Sequence, residues 1–327
     1  MKLLVLTNNP SRASFRQRIE VYLETLRAND INCEVVRFPT GSLARRKLLK
    51  QSKDFDSVFL HKKRLNPLDA FWLRHKGPGV IYDFDDAVMY NDKHPNKFSR
   101  IRRKSFERTV RLSHLVIAGN AYLAERALKF NQKVKILPTG LDVNAYRCEG
   151  KLKNDGKVRL VWIGGKSTLS YLASLRPVLE QIGRRFDNVV LRIICDEFFD
   201  LQNMKVEKCR WSLRSQSRDL AACDIGLAPL PDNRFTRGKC GFKILQYQSA
   251  SLPVVTSPVG VNVEYIQQDI SGYVATDEAD WVEKLSRLIR DKDLRKRMGG
   301  QGFKHACGFD TKVLGVRLVD MIKSVTA

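Results

Sequence analysis

Short apolar runs recur at residues 2–7, 33–38, 57–61, 79–83, 115–118 and 134–137, and helical patterns lie between them, including an amphipathic stretch over 14–28. Strands that alternate with helices favour a parallel, doubly wound sheet, because each helix carries the chain back to the end where the previous strand began. The pattern restarts at 158–163 and continues through 189–195, 225–229 and 253–256, with helices expected at 215–222, 279–291 and 294–307. Between the two series, residues 147–157 are polar and rich in turn formers, the texture of an interdomain linker. A last helix, 311–325, follows the second series. The chain therefore divides into two Rossmann-like domains, 1–146 and 147–310, with a trailing segment 311–327.

Composition narrows the partners. The 327 residues exceed one small core and suit two domains of ordinary size. The formal charge is +23, and the first 150 residues hold 29 Lys and Arg against 15 Asp and Glu, so more than half of the excess lies there. A field of that sign attracts phosphate in nucleotides, nucleic acid or lipid headgroups. The clusters Arg45-Arg46-Lys47, Lys62-Lys63-Arg64 and 100–104 read as a basic face toward an anionic membrane, or as ordinary solvated surface. Nucleic acid is the weaker expectation, since zinc spacing, an aromatic RNA-binding signature and a helix-turn-helix are missing. Seven scattered cysteines without a Cys-x-x-Cys pair suit reduced thiols in the cytosol. The apolar run at 3–6 is too short for a signal peptide, and nothing approaches the roughly 18 apolar residues of a membrane span. The expected location is cytoplasmic, peripheral at the inner face of the membrane.

Three segments can carry chemistry. The first runs Arg237-Gly238-Lys239-Cys240-Gly241-Phe242-Lys243-Ile244-Leu245-Gln246 and continues to Pro253-Val254-Val255. It sets a basic glycine loop directly before a helix, where free backbone N–H groups and the helix dipole suit a diphosphate. The alternative is a plain turn with solvated cations. The second, Gly164-Gly165-Lys166-Ser167-Thr168, follows the first strand of the second domain at its carboxyl end, where open α/β sheets bind ligands. Its glycines allow close approach of a phosphate and Lys166 supplies charge, although a tight turn alone would use the same residues. The third, Asp83-Phe84-Asp85-Asp86, ends the fourth strand, where carboxylates can hold or deprotonate an acceptor hydroxyl, orient a sugar, or cap the next segment. Arg16 follows the first strand and can meet phosphate or lie on a solvated helix face. His61, His75, His94, His114 and His305 show no metal spacing and read as structural.

The run from 237 to 260 resembles the donor-binding segment of GT-B glycosyltransferases of the family 4 type, in the bacterial branch that carries Gly-Lys-Cys-Gly-Phe-Lys. The stretch Val161-Trp162-Ile163-Gly164 with Ser167-Thr168 is similar to a second element of that branch. The family's two glutamates eight positions apart are absent; Gly238 stands near the first and Gln246 at the second. The resemblance implies two doubly wound domains facing a central cleft, with the final helix crossing back to the first domain. It implies retaining transfer of a sugar, of the hexosyl type, from a nucleotide diphosphate donor to a glycan or lipid-linked acceptor, in bacterial surface polysaccharide or lipopolysaccharide synthesis. No metal or cofactor is then expected, because cationic side chains and a helix dipole manage the leaving group. The donor set would be Gly164, Gly165, Thr168, Arg237, Gly241, Phe242, Lys243 and Gln246. Asp85, Asp86, Lys166 and Lys239 would serve catalysis, and Arg16 and Asp83 the acceptor. Gln246 would face the ribose, so that Gln246→Glu is expected to be tolerated. A GT-B sugar-nucleotide epimerase and a non-catalytic sugar-nucleotide-binding subunit remain as alternatives.

Overall fold

The computed structural model of the protein describes residues 1–76, 79–147 and 155–325. Residues 148–154, most of the expected linker, lie outside the described residues, as do the side chains of His75 and Lys76. Contacts divide the chain into two units, one of residues 1–141, 233–240 and 311–327, the other of 142–232 and 241–310. The boundary expected at 146 falls at 141, and the basic loop 233–240 groups with the first unit rather than the second.

The first unit is built on β1 (Lys2–Thr7), β2 (Asn32–Arg37), β3 (Ser57–His61), β4 (Gly79–Phe84), β5 (Leu115–Ala118) and β6 (Val134–Ile136). Its helices are α1 (Ala13–Arg18), α2 (Leu23–Ala28), α3 (Ser42–Gln51), α4 (Pro67–Lys76), α5 (Arg100–Leu112) and α6 (Ala121–Leu128). The sheet order is β2-β1-β3-β4-β5-β6 and every pairing is parallel. Strands β3 and β5 are buried along their whole length, which is why they read as continuous apolar runs rather than alternating ones. Ser99 and Asn120 cap α5 and α6 by accepting the N–H groups of Arg102 and Leu123. In register, Thr7 lies beside His61 and His61 beside Asp83, so the strand ends bring three polar side chains together.

The second unit holds β7 (Val158–Ile163), β8 (Val189–Cys195), β9 (Lys205–Arg210), β10 (Ile225–Ala228), β11 (Val254–Thr256) and β12 (Gly272–Val274). The helices are α7 (Leu169–Ala173), α8 (Arg176–Arg185), α9 (Gln216–Ala221), α10 (Phe242–Ser249), α11 (Asn262–Tyr265), α12 (Glu278–Arg290) and α13 (Lys292–Cys307). Its order is β12-β11-β10-β7-β8-β9, again parallel throughout. The last helix, α14 (Thr311–Lys323), belongs to the first unit, where Gly315 rests on Thr25 of α2.

Two strands escape the sequence pattern. Segment β9 is an edge strand rich in charge, and β12 is an edge strand of three residues that opens on a glycine, which a strand pattern does not favour. The expected helix at 14–28 is broken at Ile19, just after Arg18 turns its side chain inward to the sheet edge.

Candidate functional site

Two constellations form, one at the carboxyl edge of each sheet. In the first unit the three aspartates after β4 have three different fates. Asp83 is fully buried, and Arg18 grips both of its oxygens at 2.6 to 3.1 Å while also donating to the Leu137 and Pro138 carbonyls. With its carboxylate spent on a buried guanidinium, Asp83 has no open edge for an acceptor. That corrects the acceptor role expected from its place in the sequence. Asp85 is 4% exposed, pressed under Gly119, and held by Lys62 Nζ at 2.5 Å and by the Thr139 hydroxyl at 3.2 Å. Asp86 is the exposed member, at 31%, and its Oδ2 accepts from Lys62 at 2.7 Å while Oδ1 lies 3.8 Å from Lys239.

Lys62 is the residue that sequence reasoning placed wrongly. It follows β3 in the left-handed region, at φ 53°, where a non-glycine residue carries strain of roughly 1 to 3 kcal/mol. Its N–H donates to the Asp83 carbonyl at 2.7 Å and its ammonium sits between Asp85 and Asp86. It therefore forms no part of a basic face. Neighbouring Lys63 lies 4.3 Å over the Phe38 ring and donates to Asn8, so that cluster turns inward. Burial pushes the Asp85 carboxyl up, but Lys62 and Arg18 pull harder, and it falls to about 2. The stability this supplies is complete above the unfolded value of 3.8 and is lost as pH falls toward 2. A carboxylate so acidic is a poor base, and Asp85 is too enclosed to reach the hydroxyl of an acceptor. Burial likewise keeps His61 neutral, down to about 4, with Nδ1 hydrogen-bonded to the Thr7 hydroxyl at 3.0 Å.

Loop 233–240 packs onto these aspartates. Gly238 fits so closely that an added Cβ would meet Ala87 at 2.8 Å and Leu123 at 2.9 Å. Asn120 and Tyr122 donate to the Lys239 and Arg234 carbonyls, and Arg234 donates to those of Pro95 and Asn96. Arg237 stays exposed, and Lys239 lies 4.9 Å over Phe235. Arg16, on α1, donates to the Ser11 carbonyl just before that helix and is half-buried.

The second unit brings the other two segments together. Tyr247 of α10 is the stitch, because its hydroxyl accepts from Ile163 N–H at 3.0 Å and donates to the Leu227 carbonyl at 3.1 Å, at the ends of β7 and β10. Gly241 caps α10 at φ 64°, and a Cβ there would also meet Val261 at 2.7 Å, so two constraints select glycine. Gly241 has no side chain with which to cap this helix, so the start of α10 is of the kind that receives an anion. Lys243 lies 5.0 Å over the Trp162 ring, and a Cβ on Gly164 would strike both Trp162 and Lys243. Gly164 and Lys243, 79 positions apart, therefore meet. Gly165 has open space around it. Thr168 closes its turn by donating to the Gly165 carbonyl, Phe242 is half-buried, and Lys166, 72% exposed, pairs with Glu197.

Gln246 is 5% exposed and sits in a polar chain. Its amide donates to the Tyr146 hydroxyl at 2.9 Å and to Gln216 Oε1 at 3.3 Å, and Trp211 Nε1 donates to that same oxygen. Glutamate could supply neither donation and would bury a charge against Gln216 Oε1. We expect Gln246→Glu to lower unfolding free energy by roughly 1 to 3 kcal/mol, contrary to the tolerance read from sequence. Chemical denaturation of both proteins measures it; equal midpoints would place Gln246 in open contact with solvent.

Residues 144–291 match the family profile described as Glycosyl transferases group 1. The structure is similar to that of Anabaena Alr3699/HepE in complex with UDP-glucose, with TM-score 0.75 and 16% identity, covering 99% of this chain and 100% of that one. Sucrose-phosphate synthase from Thermosynechococcus elongatus gives 0.73 and 10%, covering 99% and 98%. WaaG, a glycosyltransferase involved in lipopolysaccharide biosynthesis, gives 0.68 and 15%, covering 98% and 99%. No curated protein matches the sequence. The chain has the two-domain α/β GT-B fold, and its residues 144–291 are similar to group 1 glycosyltransferases.

Proposed function

We propose that the protein is a retaining glycosyltransferase of the family 4 type that moves a hexosyl group from a nucleotide diphosphate sugar to a glycan or lipid-linked acceptor. The observation that carries this reading is the glycine-started α10 with Lys243 beside the Gly164 loop, inside the segment that matches the family profile. The diphosphate would lie at that N-terminus. Its developing charge would be met by Lys243 and Lys166 together with the helix dipole, with no metal required. Lys166 would exchange Glu197 for phosphate as the donor enters. Asp86 would hold the acceptor hydroxyl, while Lys62 and Asp85 fix its position. The likeness to proteins whose structures hold UDP and UDP-glucose supports a uridine donor, and the likeness to WaaG supports a surface glycan as product.

Lys243→Ala should weaken UDP binding about tenfold to a hundredfold by calorimetry, since it removes one charged hydrogen bond of roughly 1.5 to 3 kcal/mol. Unchanged affinity in Lys243→Ala and Lys166→Ala alike would move the donor site away from α10.

Among the described residues no helix is long and apolar enough to cross a membrane. The basic excess of the first 150 residues supports attachment at an anionic surface, with the work done in the cytoplasm on a lipid-linked acceptor.

A further inference from the structure

A groove of about 900 Å³ runs between α4 and α5 in the first unit. Its walls include Phe71 and Arg74 from α4 and Lys104, Glu107, Arg108 and Arg111 from α5. Positions 71 and 74, and 104, 108 and 111, fall at helical spacing, so each helix turns one stripe inward. The single acid, Glu107, is already answered by Arg103 at 2.7 Å and Arg111 at 4.0 Å. Among the described residues neither Arg74 nor Lys104 has a carboxylate partner. The groove is thus a cluster of cations with its one anion spent. A second groove, between α8 and α12, shows the contrast: there Arg185, Arg287 and Arg290 face Glu278, Glu283 and Asp291, and the charge is balanced.

We propose that the α4–α5 groove receives the phosphate headgroups of an anionic bilayer; this rests on the membrane-surface part of the reading above. The rim decides for lipid over a soluble phosphate. Ile101 continues the Lys104 stripe one turn earlier and is 82% exposed, and Leu68 and Phe71 on α4 are exposed as well. Apolar side chains held in water beside cations match a surface that is charged at its headgroups and apolar just below. The groove also stands apart from the chemistry. Val80 in its wall is at the amino end of β4, whereas Asp85 follows the carboxyl end, five extended residues or roughly 16 Å away. A bilayer held there anchors the protein without occupying the aspartate cluster.

Co-sedimentation with phosphatidylcholine vesicles, with and without phosphatidylglycerol, tests this on the whole protein. The pair Arg74→Ser and Lys104→Ser should cut partition to the anionic vesicles about thirtyfold, since each cation at such a surface contributes about fivefold. Ile101→Ser should also cut it with the charge unchanged, and UDP affinity should hold in both. The charge-matched pair Lys292→Ser and Lys296→Ser should partition as wild type. Equal losses in the two double variants would replace the groove with diffuse attraction, and full partition by the Arg74 and Lys104 pair would remove it. Loss with that pair but none with Ile101→Ser, together with competition by inorganic phosphate or by an oligoribonucleotide, would make the ligand a soluble phosphate or RNA. A wild-type protein that ignores anionic vesicles would sink the membrane reading and the groove together, leaving the donor site to the UDP measurement.

Discussion

Asp86→Asn is expected to lower turnover by roughly 10² to 10⁴ while UDP affinity stays near wild type. The amide keeps the shape and loses the charge that would hold or deprotonate an acceptor hydroxyl. Asp86 is the member of its cluster that faces outward, and Lys62 aims it at 2.7 Å. Asp85→Asn provides the contrast, because that carboxylate is enclosed by Lys62, Thr139 and Gly119. It should melt earlier and lose less turnover than the Asp86 variant. Single-turnover kinetics with a glycan acceptor, read beside thermal melts, separates the two. Normal turnover in Asp86→Asn would reduce the cluster to a structural cap and leave catalysis to the cations of the donor site.

The second large effect concerns folding. Arg18→Met should destabilise the first unit by roughly 3 to 5 kcal/mol, because it strands the Asp83 carboxylate in the interior without its guanidinium. For a unit of this size that is a fall in Tm on the order of 10 °C. Removing both charges, as Arg18→Met with Asp83→Leu, should recover most of the loss, since the pair itself contributes little beyond neutralising its own burial. Differential scanning calorimetry decides it. A single variant that melts with wild type would mean that water, not Arg18, satisfies Asp83.

The two variants expose what local sequence carries and what it hides. Alternation of apolar runs with helical stretches is a local property, set by which backbone conformation buries each run. Among the described residues, the strands of the two parallel sheets followed from it, save two edge strands, charge-rich β9 and β12, which opens on a glycine. The glycine before α10 was legible for the same reason, since a left-handed cap directly before a helix is a matter of a few adjacent residues. Aspartates at a strand's carboxyl end were legible as a group.

Which aspartate does what was not. Arg18 and Asp83 are 65 positions apart, and nothing near Arg18 distinguishes it from Arg16, whose guanidinium donates to the nearby Ser11 carbonyl. In sequence, Lys62 reads as one cation among Lys62-Lys63-Arg64, yet a left-handed backbone after β3 turns it between two carboxylates. The loop 233–240 lies within the stretch that matches the family profile but packs with the first unit, through Gly238 against Ala87 and Leu123. The sequence by itself determined the strands, the helix start and the charge. Only the tertiary structure chose the partners, because the energy of a buried charge depends on what lies within a few ångströms of it, and those neighbours arrive from distant parts of the chain.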